Sequence, residues 1–107
     1  MLQRYNSRRL QQHIMDKADL EKDKKLLVAT LRKFKSSKDL SNFIDDLLTE
    51  EEILDLAQRI KIARSILDGK TYDEIAEKVK TSTSTVSKIG QIIKYGKGGL
   101  GKVLEKK

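Results

Sequence analysis

Thr81, Ser82, Thr83, Ser84 and Thr85 stand in an unbroken row, and Ser87 follows after one valine. No nucleophile–base pair stands beside these hydroxyls. The chain has one histidine, His13, and no cysteine, which removes disulfides and thiolate metal sites. Short hydroxyl side chains do suit contact with a polyanion. They let the backbone come close to phosphates, donate to phosphate oxygens and reach base edges. Lys88, Gln91 and Lys94 continue the series with positive charge and an amide, and no acid occurs between Val79 and Leu104. By composition alone the run is a linker. The spacing of Val86, Ile89, Ile92 and Ile93 behind it is that of a helix.

Two helices are needed to present this run. The pattern predicts a short helix over 72–79, a turn over 80–82 and a longer helix over 83–95, the spacing of a helix-turn-helix. Ile75 and Val79 face inward from the first helix, Ala76 is small where the helices approach, and Val86 and Ile89 face inward from the second. Thr81 and Ser82 fall in the turn and cap. Thr83, Ser84, Ser87, Lys88, Gln91 and Lys94 are left pointing outward, on a helix whose N-terminus itself favours an anion. Such turns often begin with a glycine in the left-handed region. Lys80 stands there instead, which predicts a tighter or differently shaped turn.

The preceding elements are helical as well. "TEEE" at 49–52 and "TYDE" at 71–74 are capping boxes, each pairing a threonine hydroxyl with the glutamate three residues on. Behind the first, Ile53, Leu56, Ala57, Ile60, Ala63, Ile66 and Leu67 form the expected apolar stripe, which Gly69 ends. Upstream, Leu20, Leu27, Leu31 and Phe34 share a face of a helix from about 18 to 35, and Ser36 or Ser37 caps the next. There, Leu40, Phe43, Ile44, Leu47 and Leu48 repeat at helical spacing. Residues 1–17 form an N-terminal extension without clear organisation, although Leu10 and Ile14 permit a short helix. Residues 18–96 read as one helical domain. Residues 97–107 read as a flexible Gly/Lys-rich tail with at most a short helical end. Its "GKGGLG" lacks the strand and the GxxxxGK[ST] pattern of a phosphate loop.

The bulk numbers fit a single small all-α domain. The chain has 107 residues and no proline, with 37% hydrophobic and 36% charged residues. Its net charge of +7 is unevenly spread. Residues 1–40 and 69–107 are basic, and residues 41–68 are acidic. Basic surface attracts nucleic acid, although a solvated lysine-rich surface explains the charge equally well. No apolar run approaches the roughly 20 residues that cross a bilayer, and the N-terminus has no signal-peptide pattern. The expectation is a cytoplasmic, nucleoid-associated protein with no membrane partner, no metal, no cofactor and no enzymatic activity.

The segment "DLLTEEEILDLAQRIKIARSILDGKTYDEIAEKVKTSTSTVSKIGQIIKYG", about half the chain, resembles the Trp repressor superfamily. The segment meets almost throughout the family pattern "LLTxxE", then "RxxIxxxLxxG", where Ile66 stands at the leucine, then "TxxEI", a small-residue turn and "TVSK". The closer likeness is to the Trp-repressor-related bacterial proteins of undefined regulon, which also carry "DDL" and "LAQR". The resemblance implies an all-α helical bundle with a C-terminal helix-turn-helix, assembled as an intertwined homodimer. Its recognition helices would enter successive major grooves of a palindromic operator about 34–36 Å apart, a spacing established for helix-turn-helix dimers, the Trp repressor among them. It also implies an effector pocket. Thr49, Arg59 and Thr85 match pocket positions, and Arg59 would lie on one face of a bound indole. Lys88 replaces the arginine of the other face and stacks less well than a planar guanidinium. The residue after it is Ile89 in place of glycine, a ligand-holding serine is Ile92, and a pocket leucine is Asp46. The two isoleucines would fill space that an indole needs. The pocket formed by Thr49, Arg59, Thr85 and Lys88 therefore reads as vestigial, with L-tryptophan excluded and any other effector unknown. Arg59 has Asp55 or Asp46 as an alternative partner.

Two functions follow. The first is a sequence-specific double-stranded-DNA-binding transcriptional regulator. The second is a helical protein-interaction module, using the acidic 45–55 surface or the basic first 40 residues, with the two helices as a packing unit.

Overall fold

The computed structural model describes residues 17–105, so His13 and the expectations placed on residues 1–16 lie outside the described residues. Six helices follow in order: α1 Lys17–Leu31, α2 Ser37–Leu47, α3 Glu50–Leu67, α4 Tyr72–Val79, α5 Thr83–Tyr95 and α6 Gly99–Leu104. No strand occurs among the described residues. The chain divides into two compact units, residues 1–44 and 45–107, with the boundary inside α2.

In the first unit, α1 stops at Leu31, four residues short of the expected end at Lys35. The Arg32 and Lys33 amides close the last turn on the Val28 and Thr30 carbonyls, and the Thr30 hydroxyl bonds back to the Leu26 carbonyl at 2.8 Å. Phe34 therefore lies in the connector and not on the helix face. Its ring meets Phe43 of α2 at a centroid distance of 4.9 Å, tilted by 46°. Ser36 is the cap of α2, its hydroxyl accepting from the Asp39 amide at 3.1 Å. No residue of α1 is buried, and Leu20, Leu26, Leu27, Val28 and Leu31 are all exposed.

The core lies in the second unit. Ile62 and Ala63 of α3, Ile75 and Ala76 of α4, and Val86 and Ile89 of α5 form one buried cluster. Ile66, Tyr72, Val79, Ile93, Leu100 and Leu104 pack against it, partly buried. The expected stripe of α3 is met at Ala63 and Ile66 and departs at Leu56 and Ile60. The helix carries two apolar faces, and the continuous run through Leu56 and Ile60 is the open one, at 45% and 42% exposure. Ile62, outside that run, has no surface left to solvent. Within the tail a short helical end forms, the one structured form the sequence allowed it. Leu100 and Leu104, one helical turn apart, give residues 99–104 an apolar edge, and the resulting α6 packs against α3.

The turn between α4 and α5 departs from expectation in the opposite sense. Lys80 itself takes the left-handed conformation, with φ 65° and ψ 54°, and its amide and that of Thr81 both donate to the Ala76 carbonyl. The common turn shape is thus kept by a residue that adopts it at a cost of roughly 1–2 kcal/mol relative to the right-handed region. Ile75 and Ala76 on one side and Val86 on the other over-determine it.

Gly90, in the middle of α5, is buried. A Cβ built there would overlap the hydroxyl of Tyr72, the first residue of α4. The missing side chain is what lets the start of α4 lie against the middle of α5. Gly90→Ala should therefore destabilise the protein by about 1–3 kcal/mol, although alanine is the better helix former. Tyr72→Phe in the same background should recover part of the loss. Urea denaturation of the two variants against wild type checks both; a Gly90→Ala variant as stable as wild type would remove this contact from the account.

Candidate nucleic-acid interface

Each helix that frames the hydroxyl run begins at a side-chain cap. The Thr49 hydroxyl accepts from the Glu52 amide at 3.1 Å, and the Thr49 amide donates to the Glu52 carboxylate at 2.8 Å. Thr71 and Glu74 repeat the arrangement at 3.1 and 2.9 Å. The Ser82 hydroxyl accepts from the Thr85 amide at 3.2 Å and starts α5. That oxygen also lies 3.1 Å from the Ser84 hydroxyl and 3.0 Å from the Thr85 hydroxyl, so three of the hydroxyls form a local network.

Along α5, Thr83, Ser84, Lys88, Gln91 and Lys94 are exposed, as is Ser82 at the cap. At helical spacing they share one face. Ser87, on the same face, is only half-buried, and Thr81 is half-buried in the turn. The first turns of α3 and α4 hold acids, Glu50, Glu51 and Glu52 in one and Asp73 and Glu74 in the other. The first turn of α5 holds none. The positive end of its dipole is left uncompensated beside hydroxyl donors. Lys88 and Lys94 form no ion pair among the described residues. This face can hold phosphate oxygens and present small polar groups to base edges.

Behind this face lies a cleft of about 380 Å³ between α3 and α5. Arg59, Thr85 and Lys88 line it together, and Thr49 does not, its hydroxyl being engaged in the α3 cap. Asp55 and Gln58 complete the α3 wall, and neither was singled out as a pocket position by the sequence pattern. Ile89, buried in the core, and Ile92, 51% exposed, form the α5 wall of the cleft. Arg59 forms no ion pair with Asp55 or Asp46. Among the described residues no group of three His, Cys, Asp or Glu could hold a metal, and no helix is long and apolar enough to cross a membrane.

Residues 22–107 match the family described as Trp repressor protein. The chain is 42% identical over 64 residues to YerC of Bacillus subtilis (strain 168), an uncharacterised protein. The aligned segment is 57% of this chain and 62% of that relative. No solved structure matches the chain significantly.

The cap of α4 has a pH signature. The Thr71 amide and then the Thr71 hydroxyl hold the Glu74 carboxyl below its ordinary value; desolvation opposes them, and the charge of Lys70 adds a smaller lowering effect. A depressed folded-state value means that this contribution to stability is fully present above the unfolded-state value and is lost as pH falls through the folded one. Glu74→Gln keeps a capping side chain and removes the titration. It should be less stable than wild type near neutrality, and the gap should close as pH falls below the ordinary glutamate value of 4.5 and through the lower folded-state one. Thermal unfolding of the pair across that range checks the sign.

Proposed function

The chain belongs to the Trp repressor family, and from that membership and the α5 face we propose that it is a homodimeric transcriptional regulator that binds double-stranded DNA sequence-specifically, with α4, the 80–82 turn and α5 acting as a helix-turn-helix. The observation that carries this reading is the start of α5. An exposed, acid-free helix N-terminus holds Thr83 and Ser84, and Lys88, Gln91 and Lys94 continue its outer face. Thr83, Ser84 and Ser87 would contact phosphates and base edges, Gln91 a base edge, and Lys88 and Lys94 phosphates; Thr81 and Ser82 bring the turn backbone up to the duplex.

The exposed apolar surface supports a dimer. Leu47, Leu54, Leu56 and Ile60 in one unit, and the α1 leucines in the other, are more than a solvated single chain ordinarily leaves open. A two-fold assembly gives two α5 helices and hence a palindromic operator. No enzymatic role is assigned, and the protein acts in the compartment of the chromosome.

Replacing Thr83, Ser84 and Ser87 together by glutamate should lower affinity for a duplex selected from a random pool by about 100-fold or more, with the helical circular dichroism unchanged. Retained binding would remove α5 from the interface. The cleft behind the helix offers Arg59 on one side and the ammonium of Lys88 in place of a second planar cation, with Ile89 and Ile92 on its α5 wall. L-Tryptophan at millimolar concentration should therefore leave the melting temperature and the duplex affinity unchanged; a rise in either would restore a tryptophan sensor.

A further inference from the structure

A second groove, of about 560 Å³, runs between α3 and α4 and includes no residue of α5. Lys61 and Arg64 of α3 and Lys78 of α4 line it. All three are exposed, and none forms an ion pair among the described residues. Between them the α3 wall carries the Gln58 amide and the Ser65 hydroxyl. A smaller recess shares Ser65 and Lys78 and adds Lys70, so four cations surround one hydroxyl. The acids at the two rims are Asp68 and Glu74, and the Glu74 carboxylate is engaged by Thr71.

Helix dipoles account for Arg64 and Lys78, which sit in the last turns of α3 and α4. They do not account for Lys61, six residues before the end of α3, nor for Gln58 and Ser65 on the same wall. Cations that share a concave surface repel one another, and an anion between them removes the repulsion. Ammonium and guanidinium donors beside a hydroxyl and an amide form the donor set of a phosphate group. Leu54 and Val79 add apolar wall, as in sites that hold a phosphate attached to a larger body.

We propose that this α3–α4 groove binds a phosphate-bearing anion, supplied either by the backbone of a bound duplex or by a free oligophosphate. Lys61, Arg64 and Lys78 neutralise its charge, and Ser65 and Gln58 donate to its oxygens. The proposal does not depend on the role assigned to α5, because the free anion can be tested without DNA.

The test uses the full chain, inorganic triphosphate as probe and two variants of equal charge change. Lys61→Gln/Arg64→Gln/Lys78→Gln alters the groove; Lys22→Gln/Lys25→Gln/Lys38→Gln alters positions in α1 and α2. In calorimetric titration the groove variant should lose at least about tenfold in triphosphate affinity and the control should not. In the duplex arm, a log–log salt slope shallower by about 0.9 for each lost contact assigns the groove to backbone phosphate. An unchanged slope together with lost triphosphate binding assigns it to a free oligophosphate. Equal losses in the two variants, or no effect of the groove variant in either arm, would overturn the site. Retained duplex binding by the Thr83, Ser84 and Ser87 glutamate variant would overturn the α5 reading and leave this result standing.

Discussion

Ile62 and Val86 sit in one aliphatic cluster with no surface left to solvent, and the presentation of α5 depends on that packing. The cluster has six buried residues, two from each of α3, α4 and α5. So few apolar side chains leave little redundancy. Shortening one opens a cavity that the other five cannot fill, and core truncations of this kind typically cost 2–5 kcal/mol. The small members set the distances. Ala63 and Ala76 let the helices approach, and Gly90 admits the Tyr72 ring against α5. Such packing fixes α5 as a unit, because a shift of the helix moves every side chain along its outer face at once.

Local chemistry sets where each helix begins, and the cluster sets how the helices meet. Thr49, Thr71 and Ser82 each hold the third amide that follows, so the starts of α3, α4 and α5 are specified by pairs three residues apart. Two of the three caps are reciprocal and engage a glutamate, and the third is not. In place of a glutamate, the Ser82 oxygen gathers the hydroxyls of Ser84 and Thr85. The difference is electrostatic. The carboxylates at the starts of α3 and α4 satisfy those dipoles internally, whereas α5 begins with neutral donors and keeps its positive end for something outside the chain.

This division explains what was legible in the sequence. The caps, the limits of α4 and α5 and the outward hydroxyls follow from spacings of three and four residues, and the pattern "TYDE…TSTSTVSK" carries them. Ile62 was not legible. It lies between Lys61 and Ala63, outside the longer stripe through Leu56 and Ile60, and only the approach of α4 and α5 decides which face of α3 is covered. Gly90 looks like a weak point in a helix until Tyr72 is placed beside it. The helix at 99–104 was legible only as a short helical end at most, since four of the six glycines in the chain fall at 96–101, and its order comes from Leu100 and Leu104 meeting α3. Lys80 shows the limit of reading turns by residue type. A lysine holds a glycine's conformation because the two helices it joins are fixed elsewhere.

The same logic bears on the cations. In a chain of net charge +7, acids placed in helix caps are unavailable to neutralise lysines and arginines. Glu52 and Glu74 hold the amides of Thr49 and Thr71, and Lys61, Arg64, Lys78, Lys88 and Lys94 have no ion-pair partner among the described residues. Their distribution over the α3–α4 groove and the α5 face is therefore a consequence of how the helices start. Capping engages Glu52 and Glu74 at the N-termini of α3 and α4, and the groove cations form no ion pair with the acids at its rims among the described residues. A solvated basic surface would scatter those cations. Here three of them line one groove, and two share a face with a row of hydroxyls. That segregation, more than the net charge, is what the proposed phosphate contacts rest on.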